Sequence, residues 1–214
     1  MLGTNHHLRN AGSHQAIRAL VRGGAIGTPL FARVFHAVQL PQHLQGWRVH
    51  KAEAGGGVVL DITVHDTDLL RFLLGRDVVE VVAMTPPPLN GVEHAVMGVM
   101  RFEDDVLASF HDAFTIPHAG TGLEIHGTLG SIFAREVMTP VPTGEVFLRR
   151  GNDSTSVDFG GHESLYVRGL RAFHGAIRGD GAPAVTADDG IKSLAVALAV
   201  LESARTGRAV RVAA

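Results

Sequence analysis

Between residues 78 and 149 the sequence offers a block of short β-type runs with no helical run between them. Val78 to Met84, His94 to Phe102, Leu107 to Phe114, Gly122 to His126, Ser131 to Arg135 and Glu145 to Arg149 are each rich in β-branched and aromatic residues. Turn clusters separate them: Thr85-Pro86-Pro87-Pro88, Glu103-Asp104-Asp105 and Gly127-Thr128-Leu129-Gly130. Such a block reads as an antiparallel sheet, joined by a further strand at Leu30 to Leu40. Helical spacing lies only outside the block. It predicts helices over about 10 to 23, 59 to 74, 165 to 178 and 187 to 206, the last capped by Thr186 with Asp189 three residues on and closed by Gly207. Strands in a block with helices before and after predict an α+β fold: one domain, with a largely antiparallel open sheet and its helices on one face.

The same layout excludes much. No G-x-G-x-x-G lies between a strand and a helix and no Walker loop is present, so the chain holds no nucleotide-phosphate cradle of its own. With 45% hydrophobic residues and a net charge of −2 over 214 residues, the chain can build a core and has no bias toward nucleic acid. No apolar run reaches the ~18 residues of a membrane helix, and the start lacks a basic segment followed by an apolar one. A cytoplasmic protein with no membrane partner is expected. Zero cysteines remove disulfides, thiolate metal sites and cysteine nucleophiles, and leave 13 histidines among the candidates for chemistry.

One window concentrates those candidates. After Gly55-Gly56-Gly57, a helix would stack Asp61, His65 and Asp68 at i, i+4 and i+7, two carboxylates flanking an imidazole. A carboxylate one turn away would orient the ring and raise its pKa, which suits a general acid near neutral pH. The glycines would let backbone come close to a ligand. The competing reading is a capping Asp and a helix-surface His. A second window, Phe35 to His50, holds the lone Trp47 beside Arg48, a flat apolar surface with a fixed cation that fits a planar or anionic ligand; the alternative is a loop anchored by burying Trp47. Histidines 36, 43, 50 and 65 match no zinc spacing, so no metal is expected. No G-x-S-x-G is present for Ser-His-Asp chemistry.

Gly3-Thr4-Asn5-His6-His7-Leu8-Arg9-Asn10, Arg33 to Val38, His43 to Arg48, Gly55 to Asp66 and Glu124 to Ser131 together resemble the C-terminal half of the Gfo/Idh/MocA oxidoreductases, in order and over nearly the whole chain. The resemblance implies an α+β substrate and catalytic domain over 10–214, with residues 1–9 left from the last strand or linker of a missing NAD(P)-binding domain. It implies that His65 gives a proton to a sugar-type carbonyl, oriented by Asp61. Asp68, His36 and His7 fall where family members face a sugar or polyol, and Trp47 and Arg48 where they lie against the cofactor. The intact family enzyme uses NADP or NAD; this chain alone is expected to bind neither, because the glycine fingerprint and the family's Glu-Lys-Pro lysine would lie upstream of Met1. Lys51 and Lys192 stand in no comparable context. The alternatives are a non-enzymatic oligomerisation or sugar-binding module, an inert gene remnant, or a weaker third, an epimerase or dehydratase using Asp61 and His65 without nicotinamide. A sheet covered on one face suggests a homodimer through the other.

Overall fold

A computed structural model describes residues 1–160 and 163–213. One open sheet contains β1 (Pro29–Ala37), β2 (Val78–Met84), β3 (Ala95–Phe102), β4 (Leu107–Ala113), β5 (Thr121–Gly127), β6 (Ser131–Arg135), β7 (Glu145–Arg150), β8 (Asp153–Ser156) and β9 (Val210–Arg211). Their order is β8-β7-β6-β5-β1-β4-β3-β2-β9. Neighbours run antiparallel except β1 and β4, which are parallel with His36 opposite Asp112. The expected α+β class and the largely antiparallel sheet both stand. What the sequence does not announce is that β1 slots between β4 and β5, strands adjacent in the chain, and so acquires its one parallel neighbour.

The helices are α1 (Gly12–Arg22), a short α2 (Gln42–Gln45), α3 (Val64–Leu74), α4 (Leu165–Ile177) and α5 (Ala187–Thr206). Thr186 and Asp189 form the expected reciprocal cap of α5, and Gly207 ends it at φ 67°. The central α3 is buried from Asp66 to Leu74. Leu69, Leu70 and Leu73 are sealed with Val34, Ala108 and Phe110 from the sheet. Alternation along the strands leaves the opposite sheet face bare: Val82, Met84, Met97 and Val99 are exposed, Met84 at 76%.

Three readings need correction. The stretch expected to be one α-helix over 59 to 74 opens with a wider π turn at Val59–Thr63 before α3 begins. Pro41 to Lys51, which lacks periodicity and so reads as a loop in the sequence, contains α2 and a 3-10 turn at Gly46–Val49, too short and too polar to show periodicity. Edge strands β8 and β9 were not expected: Asp153-Ser154-Thr155-Ser156 is fully exposed and owes its strand form to pairing with β7 alone.

Residues near the N-terminus pack into this same body. Gly3 bridges to Thr186, and His7–Asn10 forms one 3-10 turn whose Leu8, Arg9 and Asn10 are buried.

Candidate functional site

The site is built where the His7–Asn10 turn, the π turn and the end of β1 meet. The three glycines do permit close approach, but to the chain itself. A Cβ on Gly56 would come within 2.8 Å of the carbonyl oxygens of Lys51 and Trp47, and one on Gly57, at φ 110°, would run into the Glu93 carboxylate. Glu93 instead accepts the Val59 N–H at 3.1 Å, so the helix is capped by a side chain from a distant loop, and burial raises the Glu93 pKa. The wide turn that follows breaks the expected vertical register of Asp61, His65 and Asp68, because a π turn carries more residues per revolution than an α turn.

Each member of that trio consequently meets different partners. The Asp61 carboxylate accepts from Arg48 Nε at 2.9 Å and is not bonded to His65. The Arg48 guanidinium also lies 4.6 Å from the Trp47 ring centroid, and the indole is 41% exposed. The geometry is an aromatic plate backed by a cation that a carboxylate holds in place. Trp47 is therefore not buried as a loop anchor.

Asp68, expected to face substrate, is 1% exposed and points the other way. Its two oxygens accept from Arg9 Nε at 2.7 Å and Nη2 at 2.6 Å, and Ser193 Oγ adds a bond at 3.3 Å. Arg9 also reaches Asp189 at 3.0 Å, so this bidentate pair ties the N-terminal turn to α3 and α5.

His65 sits among imidazoles. Its Nδ1 is 2.9 Å from His6 Nδ1, one donating to the other, and both His6 and His7 meet its ring edge-on with centroids 4.9 and 5.3 Å away. His7 in turn stacks on Tyr166 of α4 at 5.3 Å. Burial first, and then the neighbouring histidines, push the His65 pKa down to about 3, and burial with His36 and His6 takes His7 down to about 4. The expected rise at His65 is thus reversed, because the flanking carboxylate is occupied by Arg48 while the ring is desolvated. At neutral pH the ring is uncharged, and with its hydrogen on Nδ1, donated to His6, it would accept a proton through Nε2, the nitrogen not bonded to His6.

His36, at the end of β1, donates or accepts through Nδ1 with Asp66 Oδ1 at 3.2 Å. Asp66 lies in α3 and is fully buried, as is Asp112 of β4. The sequence reading brought His7, His36 and His65 into one site, and the structure groups them; Trp47, Arg48 and Asp61 form a second cluster nearby in the chain. It missed His6, Tyr166, Asp66 and Asp112. His6 and His65 are separated by 59 positions, and only its place beside His7 could have flagged His6. Among the described residues no group of three or more His, Asp or Glu is arranged to hold a metal ion.

The sheet thus lies under helices, with His6, His7, His36 and His65 gathered in one cluster and Trp47, Arg48 and Asp61 in another. Residues 14–133 match the GFO/IDH/MocA C-terminal domain, and the chain belongs to that family. It is 52% identical to 1,5-anhydro-D-fructose reductase of Ensifer adhaerens over 215 residues, covering 99% of this chain and 64% of that protein. With myo-inositol 2-dehydrogenase of Thermotoga maritima the identity is 27%, over 99% of this chain and 64% of the relative. The chain thus spans about 64% of the length of these relatives. In fold it resembles aldose-aldose oxidoreductase from Caulobacter crescentus complexed with glycerol, at TM-score 0.88 and 23% identity over 98% of this chain and 63% of that one. It also resembles levoglucosan dehydrogenase in complex with NADH and levoglucosan, at TM-score 0.84 and 22% identity over 100% of this chain and 67% of that one. No helix among the described residues is long and apolar enough to cross a membrane.

Proposed function

We propose that this chain is the substrate and catalytic half of an NAD(P)-dependent oxidoreductase acting on a sugar-type carbonyl, with 1,5-anhydro-D-fructose as the first substrate to test. The observation that carries the reading is the neutral His65, anchored through Nδ1 to His6 and free at Nε2. With its hydrogen on Nδ1, donated to His6, such a ring takes the hydroxyl proton as it stands in the alcohol-oxidising direction. In the reducing direction it must carry a proton when substrate binds. The negative charge developing on the carbonyl oxygen then offsets the burial that disfavours imidazolium, and His65 passes that proton from Nε2 to the oxygen.

A bound nicotinamide supplies the hydride. The exposed Trp47 face, backed by Arg48, fits the planar end of such a cofactor, and Asp61 holds Arg48 there. No glycine-rich turn between a parallel strand and a helix is present among the described residues, so the pyrophosphate end finds no cradle in them. Positioning of the cofactor therefore rests on a nucleotide-binding part supplied to this chain. His7 and His36 face the sugar beside His65. A second copy of the chain covers the bare sheet face, where Val82 pairs with Val99 and Met84 with Met97 in one exposed apolar patch.

The test joins the chain to the nucleotide-binding part of the Ensifer adhaerens reductase and follows NADPH oxidation with 1,5-anhydro-D-fructose. Turnover should appear in the fusion and fall by about 10²-fold or more in His65→Asn, the range general acid catalysis covers. The 214-residue chain alone should show no calorimetric NADPH binding at micromolar concentration. An active His65→Asn fusion would place the proton donor elsewhere.

A further inference from the structure

Beneath His36 lie two carboxyl groups that the proposed reaction does not use. Asp66 and Asp112 come from different elements, α3 and β4, and both are 0% exposed. Thr63 Oγ1, on the π turn, donates to Asp112 Oδ2 at 2.6 Å, and His36 Nδ1 meets Asp66 Oδ1 at 3.2 Å. The two remaining oxygens, Asp66 Oδ2 and Asp112 Oδ1, are buried with no hydrogen-bond partner. The two carboxyl groups lie near enough that the charge of Asp66 acts on Asp112. Two carboxylates in that position would leave acceptor against acceptor and two unpaired charges in the interior.

We propose that Asp66 and Asp112 share one proton and together fix His36 with its hydrogen on Nδ1, so that Nε2 presents a lone pair to a hydroxyl hydrogen of the substrate. Only one placement of hydrogens satisfies every atom with a single proton. That proton lies between Asp112 Oδ1 and Asp66 Oδ2, Thr63 donates to the outer oxygen of Asp112, and Asp66 Oδ1 must then accept from His36. Burial first and the charge of Asp66 second push the Asp112 carboxyl well above an ordinary carboxylate, the direction that favours holding the proton. Asp66 and Asp112 are positioning residues: neither reaches the substrate. His36 selects for ligands that can donate a hydroxyl hydrogen at that point, such as polyols and sugars, over deoxy or O-methyl analogues. This last step rests on the sugar-facing role proposed above for His36.

The experiment uses the full chain labelled with 15N. Long-range 1H–15N correlation near neutral pH should show His36 with a protonated Nδ1 and an unprotonated Nε2, and the infrared spectrum should contain a protonated-carboxyl C=O band that Asp112→Asn removes. Asp112→Asn should keep the His36 tautomer, since the amide donates to Asp66 as the carboxyl did. A wild-type Nε2–H tautomer, or no carboxyl band in wild type, would overturn the proposal even if Asp112→Asn fails to fold. So would a folded Asp112→Asn that keeps the band. Adding myo-inositol should shift His36 Nε2. A silent Nε2 in a chain that keeps the Nδ1–H tautomer overturns the hydroxyl contact and the sugar-facing role, and leaves the shared proton standing.

Discussion

His65 and His6 stand with their Nδ1 atoms 2.9 Å apart, and the ring that would exchange a proton with substrate is thereby anchored by another histidine and not by the carboxylate one turn before it. An imidazole partner orients without adding negative charge, so nothing counters the desolvation that holds His65 neutral.

The first prediction concerns pH and stability. His65, His7 and His14 have folded values of about 3, 4 and 4 against an ordinary 6.5, with burial the leading cause at each. Below about pH 6.5 the unfolded chain binds protons that these rings refuse in the fold, so the unfolded state binds more and stability rises with pH. Their contribution is fully present above the unfolded value and is lost as pH falls toward the folded ones, at up to about 1.4 kcal/mol per pH unit for each ring. Urea midpoints should be lower at about pH 5 than at about pH 7. Equal midpoints would mean that these rings titrate normally.

Asp68→Ala leaves the Arg9 guanidinium buried with half its partners gone. It should cost about 3 to 5 kcal/mol of unfolding free energy. The variant Arg9→Lys cannot make the paired Nε and Nη2 contacts and should also destabilise, though by less. Denaturant curves decide, and a loss under about 1 kcal/mol for Asp68→Ala would show that the pair is dispensable.

Gly57→Ala should be among the more damaging single-methyl additions in the chain. It combines φ 110° with a collision against the Glu93 carboxylate, which would also lose its bond to the Val59 N–H. Its cost should exceed that of Gly179→Ala by about 1 kcal/mol or more, since Gly179, at φ 87°, shares the backbone strain but has nothing near its Cβ. The difference between the two variants isolates the Glu93 contact, and identical thermal shifts would remove it.

On the bare sheet face, Met97→Arg should hold the chain as a monomer at concentrations where the wild type self-associates, without loss of melting temperature. Met97 is 59% exposed and has little packing inside the protein to lose. Sedimentation equilibrium on both proteins checks this. A wild type that stays monomeric at about 100 μM would leave the patch without a second copy to cover it.

Local pattern was enough for most of the architecture. Runs of β-branched and aromatic residues between turn clusters located β1 to β7, and helical spacing located α1, α4 and α5, because these local preferences are written into consecutive residues. Thr186, Asp189 and Gly207 act within a single turn of chain, which is why that cap was legible to the residue. The histidines at 7, 36 and 65 were legible too, through the family pattern that surrounds them.

Tertiary structure alone decided which groups those side chains meet. The parallel register that sets His36 opposite Asp112, the reach of Arg9 to Asp68 and the meeting of His6 with His65 all join elements far apart in sequence, and Arg48 reaches Asp61 across the glycine turn between them. Spacing along a helix could place Asp61 and His65 on one face, but the π turn and the arrival of Arg48 from the preceding segment removed that pairing. The charge state of His65 followed the same rule: a pKa is set by what surrounds a ring in space, and burial among His6, His7 and His36 outweighed a carboxylate four residues away.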